Sequence, residues 1–121
     1  MKKVLYVEDD AINALVMKKL LRPHYEVTHT TDAVSCLAMV EQETFDIILM
    51  DINLGNGQMN GVEILRILRA NPKTAGITVI AVTSYALPED EERFLSEGFN
   101  AYLAKPVERA LLLDTIHHYL P

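Results

Sequence analysis

Four short apolar runs of this chain each end in side chains suited to phosphate chemistry. Glu8, Asp9 and Asp10 follow residues 3 to 7, Asp51 follows 45 to 50, Thr83 and Ser84 follow 77 to 82, and Lys105-Pro106 follows 101 to 104. Carboxylates gathered at close range repel and raise one another's pKa, and a hard cation is the simplest way to keep all of them ionised. Oxygen donors with no cysteine or histidine in the same segments favour Mg2+ over zinc or copper. A hydroxyl and an ammonium beside such acids match phosphoryl transfer, where metal and ammonium neutralise the equatorial oxygens of a loose transition state. A carboxylate can itself be the nucleophile and form an acyl phosphate, and Asp51, central among these run ends, is the candidate. Asp10 stands directly before "AINALV" and reads as a helix N-cap, which leaves Glu8 and Asp9 as the metal-binding acids of the first run. Singly, Lys105 is an ordinary surface lysine and Thr83 an ordinary β-branched strand residue. Their joint placement carries the chemistry.

That chemistry requires the run ends to share one rim. "KVLYV", "FDIILM" and "ITVIAV" are apolar on successive residues, the pattern of strands covered on both faces of a parallel sheet. "YEVTHT" alternates and "AYLA" is short, so both belong nearer the edges. Helical patterns separate them. "AINALVMKKLLR" stops at Pro23, and "DAVSCLAMVEQE" starts at an Asp32 N-cap. "GVEILRILRA" sets Val62, Leu65 and Leu68 on one stripe, with Arg66 and Arg69 off it. "LPEDEERFLSEG" has Pro88 and acids at its start and Gly98 past its end, while "VERALLLDTIHHYL" carries Leu111, Leu112, Thr115, Ile116 and Tyr119 at helical spacing. The order βαβαβαβαβα over residues 1–121 predicts one α/β domain, a flavodoxin-like (βα)5 three-layer sandwich with a five-stranded parallel sheet of order 2-1-3-4-5. Ligands bind such sheets at the carboxyl ends of the first and third strands, where these acids lie.

Composition narrows the function further. At 121 residues the chain can bury roughly two thirds of its unfolded surface, enough for a core without metal or disulfide support. The single Cys36 has no internal disulfide partner, which fits a reducing, cytoplasmic compartment, and it reads as a small buried thiol. Acids follow the first apolar run too soon for a signal peptide or a membrane span. A formal charge of −6 with no lysine/arginine block argues against direct nucleic-acid binding.

The motifs "VEDD", "LMDIN", "VTSYA" and "AYLAKP", in this order and after these strands, resemble the receiver domains of two-component response regulators, the CheY-like family, over essentially the whole chain. The resemblance implies that Asp51 is the phosphoacceptor, that Glu8 and Asp9 bind Mg2+, and that the Asn53 backbone carbonyl is a further ligand. Lys105 would pair with the phosphoryl group, and Thr83 would donate its hydroxyl to it. Tyr102 would be the aromatic whose inward rotation accompanies that shift, and Lys105–Pro106 would be a cis peptide bond. A histidine kinase or histidine phosphotransfer protein is the implied donor. A downstream protein would read the face of the fourth helix, fifth strand and fifth helix, and a homodimer is also compatible. Residues 1–121 hold no output domain, so the expectation is a single-domain receiver or one excised from a hybrid kinase or larger regulator, promoting only its own phosphoryl transfer and dephosphorylation. Against the usual receiver pattern, Gly55 stands four residues after Asp51 in place of proline and Gly61 lies ten residues on, so the loop from 53 to 61 is two residues longer. Its glycines and asparagines favour turns and mobility, and Tyr85 is a bulky neighbour that would shield or order water there.

Other classes make different demands. A haloacid-dehalogenase-type phosphatase wants a second aspartate two residues after the nucleophile, where Asn53 stands, and a flavodoxin wants a hydroxyl-rich loop where "EDDAIN" is acidic. A phosphate-independent interaction module would need none of the acids, the lysine or the hydroxyl that are all present here.

Overall fold

The computed structural model describes residues 1–54, 59–84 and 87–121. Five strands, β1 (Lys3–Val7), β2 (Glu26–Thr30), β3 (Ile47–Asp51), β4 (Thr78–Thr83) and β5 (Ala101–Ala104), alternate with five helices, α1 (Ala11–Leu21), α2 (Ala33–Gln42), α3 (Gly61–Ala70), α4 (Pro88–Glu97) and α5 (Arg109–Tyr119). All strand pairs are parallel, and the order is β2-β1-β3-β4-β5. The flavodoxin-like arrangement is therefore the observed one, with the three most apolar runs in the middle and the alternating β2 at an edge.

Strand alternation divides the interior into two layers. Leu5, Val7, Ile48, Met50, Val79 and Ala81 face the layer built with α2, α3 and Phe94 of α4. Their neighbours Val4, Tyr6, Ile47, Leu49, Ile80 and Val82 face the layer under α1 and α5, which Ala14, Met17, Leu112 and Ile116 complete. Cys36 is fully buried in the first layer, and burial pushes its thiol up to about 12, so it packs as an inert apolar group.

Helix ends follow their local chemistry. Asp10 accepts from the Asn13 N–H at 2.8 Å and Asp32 from the Ser35 N–H at 2.7 Å, while Asn60 and Glu63 form a reciprocal capping box at the start of α3. Pro88 opens α4, and Gly98 closes it at φ 116°, a left-handed cap that suits glycine.

Several sequence expectations shift. Phe45 and Asp46 precede β3 rather than belong to it, because Asp46 bonds Lys3 with both its backbone N–H and its carboxylate. Arg69, off the apolar stripe as expected, folds over the connections and donates to the carbonyls of Ala75, Ile77 and Gly98. Leu111 is half exposed, and α5 begins only at Arg109. Gly55, Asn56, Gly57 and Gln58 of the lengthened loop, and Tyr85, lie outside the described residues.

Gly61 opens α3 hard against the site strand. A Cβ there would lie 2.6 Å from the Asp51 carbonyl oxygen and 2.9 Å from Met50 Cγ, whereas one on Gly76 would meet nothing within 4 Å. Gly61→Ala is expected to cost about 1–3 kcal/mol in urea denaturation, since a backbone oxygen cannot step aside. Gly76→Ala is the control, and equal stability of the two variants would contradict the close approach.

Candidate functional site

Register brings the expected side chains together. Val7 pairs with Met50, so the residues that follow, Glu8 and Asp51, sit side by side at the carboxyl end of the sheet. Asp51 pairs with Val82 and Thr83 with Ala104, which carries Thr83 and Lys105 to the same rim. Alternation then sorts them by face. Glu8, Asp51 and Lys105 continue the α1/α5 side, whereas Thr83 and Tyr102 continue the α3/α4 side.

Lys105 Nζ lies 2.9 Å from Glu8 Oε1 and 3.1 Å from Asp51 Oδ1, bridging two carboxylates that are only 1 % and 3 % exposed. Oxygens of Glu8, Asp9 and Asp51 all lie within 4.8 Å of one another. These groups line a pocket of about 300 Å3, together with Asn53, Thr83 and Ser84. Asp9 is exposed at the pocket mouth, and Thr83 is buried as the last residue of β4. Asp10 serves as the α1 cap. The Lys105–Pro106 peptide bond is cis. Tyr102 stacks on Phe94 of α4, with ring centroids 6.1 Å apart and planes 23° from parallel. A larger hollow of about 820 Å3 lies next door between α3 and α4, but the convergent acids are in the smaller pocket.

The electrostatics express crowding. Burial, then the hydrogen bond and charge of Glu8, push the Asp51 carboxyl up to about 7 against the pull of Lys105. For Glu8, burial works upward, but hydrogen bonds with Asp51 and Lys105 outweigh it and hold the group below its ordinary value. Partial burial also raises Asp9. Burial alone would lower Lys105, yet the bond to Glu8 and the charge of Asp51 raise it, so it is fully charged at neutral pH. The crowding with Glu8 thus opposes ionisation of Asp51 even with the Lys105 ammonium beside both.

Two further residues hold Glu8. The Tyr6 hydroxyl donates to Glu8 Oε1 at 3.0 Å, and its own pKa is raised by burial and then by the Glu8 charge, so it stays a donor. His29 Nε2 lies 2.7 Å from the Glu8 carbonyl oxygen. The signal for Tyr6 was the two-residue period of the first strand, and for His29 the adjacency of the first and second strands, once the order is known.

A doubly wound parallel sheet with acids, a hydroxyl and a lysine gathered at its switch point defines a flavodoxin-like domain. A family model for the response regulator receiver domain matches residues 4–117. The polar-differentiation response regulator DivK of Brucella anthropi is 34 % identical over 120 residues, covering 98 % of this chain and 96 % of DivK. The receiver domain of a Pseudomonas aeruginosa sensor histidine kinase, which holds a magnesium ion in its active-site cleft, is 34 % identical with a TM-score of 0.87, covering 98 % of this chain and 96 % of that one. A CheY-like receiver from Methanospirillum hungatei is 35 % identical with a TM-score of 0.85, covering 99 % and 94 %. This chain belongs to the response regulator receiver family, the phosphorelay modules of two-component signalling. Among the described residues, no helix is long and apolar enough to cross a membrane.

The raised Asp51 pKa has a sign for stability. Between the ordinary value of 3.8 and about 7 the folded state holds a proton that the unfolded chain has released, so stability falls as pH rises through that window. The slope is at most about 1.4 kcal/mol per pH unit, and the opposite shift of Glu8 offsets it only at the acid end, around and below the ordinary glutamate value of 4.5. Asp51→Asn removes the loss. In metal-free thermal melts the variant is expected to exceed wild type at pH 8, with the gap closing toward pH 4. A gap independent of pH would contradict this electrostatic account.

Proposed function

We propose that Asp51 is the phosphoacceptor of this receiver. The carrying observation is the Lys105 ammonium bridging Asp51 and Glu8 at 3.1 and 2.9 Å, at the mouth of a pocket that also holds Asp9, Asn53 and Thr83. The oxygen-only set of Glu8, Asp9 and Asp51, with its atoms within 4.8 Å, fits Mg2+, and the Asn53 backbone carbonyl would complete the protein's share of the ligands. Bound there, Mg2+ supplies positive charge that screens the carboxylates and neutralises phosphoryl oxygens. Uptake displaces the proton that crowding helps Asp51 to hold, so it strengthens as pH rises through about 7.

The transfer proceeds from a phosphohistidine of a histidine kinase or phosphotransfer protein. An Asp51 carboxylate oxygen attacks phosphorus, the P–N bond to the donor imidazole breaks as the P–O bond forms, and the ring, already protonated on its other nitrogen, leaves as neutral imidazole. Lys105 then pairs with the phosphoryl oxygens, and Thr83, one strand over from Asp51, donates its hydroxyl. Hydrolysis of the acyl phosphate by water resets the domain, so the chemistry the chain promotes is its own loading and unloading.

The output is a change of surface. Thr83 and Tyr102 lie on the α3/α4 side of neighbouring strands, so drawing Thr83 toward the phosphoryl group frees room for the Tyr102 ring to leave Phe94 and turn inward. That biases an equilibrium between two arrangements of the α4–β5–α5 face, where a downstream protein distinguishes them. The unit that does this is the receiver formed by residues 1–121.

Intact-mass measurement with acetyl phosphate tests the assignment. One phosphoryl group is expected on wild type with Mg2+, and none with a chelator or in Asp51→Asn. An adduct on Asp51→Asn would move the acceptor elsewhere. Lys105→Met is expected to slow uptake on the order of a hundredfold, as for loss of one preorganised electrostatic partner. An unchanged rate would remove Lys105 from the chemistry.

A further inference from the structure

Strand alternation places Val4, Tyr6 and Glu8 on one face of β1. Val4 and Tyr6 belong to the apolar layer under α1 and α5, and Tyr6, 1 % exposed, forms the end of that layer beneath Glu8. A phenylalanine would fill the same space; what tyrosine adds is one donor at the height of the carboxylate. That donor reaches Glu8 Oε1 at 3.0 Å, the same oxygen that accepts from Lys105 at 2.9 Å, while Oε2 takes the longer 3.4 Å contact from the Asp10 N–H. Two donors from different strands converge on one oxygen, so the carboxylate cannot turn without losing both. Lys105 is shared with Asp51, whereas the Tyr6 ring is buried in the core.

We propose that Tyr6 is a positioning residue for the cation site: its hydroxyl holds the Glu8 carboxylate in one orientation beside Asp9 and Asp51, so that the acid set is assembled before the cation arrives. Partners that orient ligating carboxylates from behind tune metal affinity in this way. Because the role of Tyr6 rests on the proposed cation site, wild-type Mg2+ binding is measured alongside.

Tyr6→Phe removes only the hydroxyl. By calorimetric titration the Mg2+ Kd of the variant is expected to rise on the order of tenfold over wild type. Glu8→Asp withdraws the carboxylate from the hydroxyl, so adding Tyr6→Phe to it should leave the Mg2+ Kd unchanged. A Tyr6→Phe protein that binds Mg2+ as tightly as wild type overturns the proposal. So does a loss that persists in the Glu8→Asp background, since the effect then comes through packing. Should Tyr6→Phe not fold, wild type labelled with 13Cζ tyrosine decides the matter. The Tyr6 signal is expected to shift with Mg2+ while those of Tyr25 and Tyr119 stay in place, and a Tyr6 signal that does not move overturns the role. Wild type that takes up no Mg2+ overturns the cation site itself, and the role of Tyr6 with it, an outcome distinct from tight binding by both proteins.

Discussion

Everything at the carboxyl end of this sheet depends on one ammonium group reaching two carboxylates. Glu8 and Asp51 are almost fully buried side by side at the ends of adjacent strands, and two carboxylates so placed are costly unless a proton or a cation offsets their charge. Lys105, just past the end of β5, provides a cation across the width of β4 and β3. Its position is set by the anchoring of β5 at the opposite end. Asn100 exchanges bonds with Val79 through backbone N–H and side chain at 2.8 Å each, and its side chain and carbonyl take Arg69 and Tyr119. The surface fastening of β5 and the chemistry of Lys105 are thus two ends of one short strand.

The sheet also separates two tasks by parity. Residues on the α1/α5 side hold the charges, and residues on the α3/α4 side, Thr83 and Tyr102, connect the rim to the helix face. Strands β4 and β5 contribute to both, β4 with Val82 beneath the acid cluster and Thr83 turned the other way, β5 with Tyr102 toward the helices and Lys105 just past its end toward the acids. A register slip of one residue would exchange the two sets, which is why the continuous apolar packing on both faces matters for function as much as for stability.

Much of this was legible in the chain. The apolar runs marked the central strands because burial on both faces leaves no polar position, and Asp10, Asp32, Pro88 and Gly98 marked helix ends through local hydrogen bonding or backbone preference alone. Helical periodicity set Leu111 on the stripe although it is half exposed, and it put Arg69 off the stripe without revealing the carbonyls it holds, because periodicity says which stripe a residue is on and nothing about what the connections fold against. Tyr6 was not singled out in the sequence, since a hydroxyl's partner is a matter of angle and distance.

The sequence by itself determined the element order, the sheet topology that follows from handed crossovers, and the kinds of side chain that end each strand. These are local or combinatorial properties, set by patterning and chain connectivity. Only the tertiary structure decided that Lys105 touches both Glu8 and Asp51, that burial drives Asp51 up to about 7, and that Tyr6 and His29 grip Glu8 from behind. Contacts across strands depend on register and on how deeply each side chain is withdrawn from water, and neither is carried by any one segment of the chain.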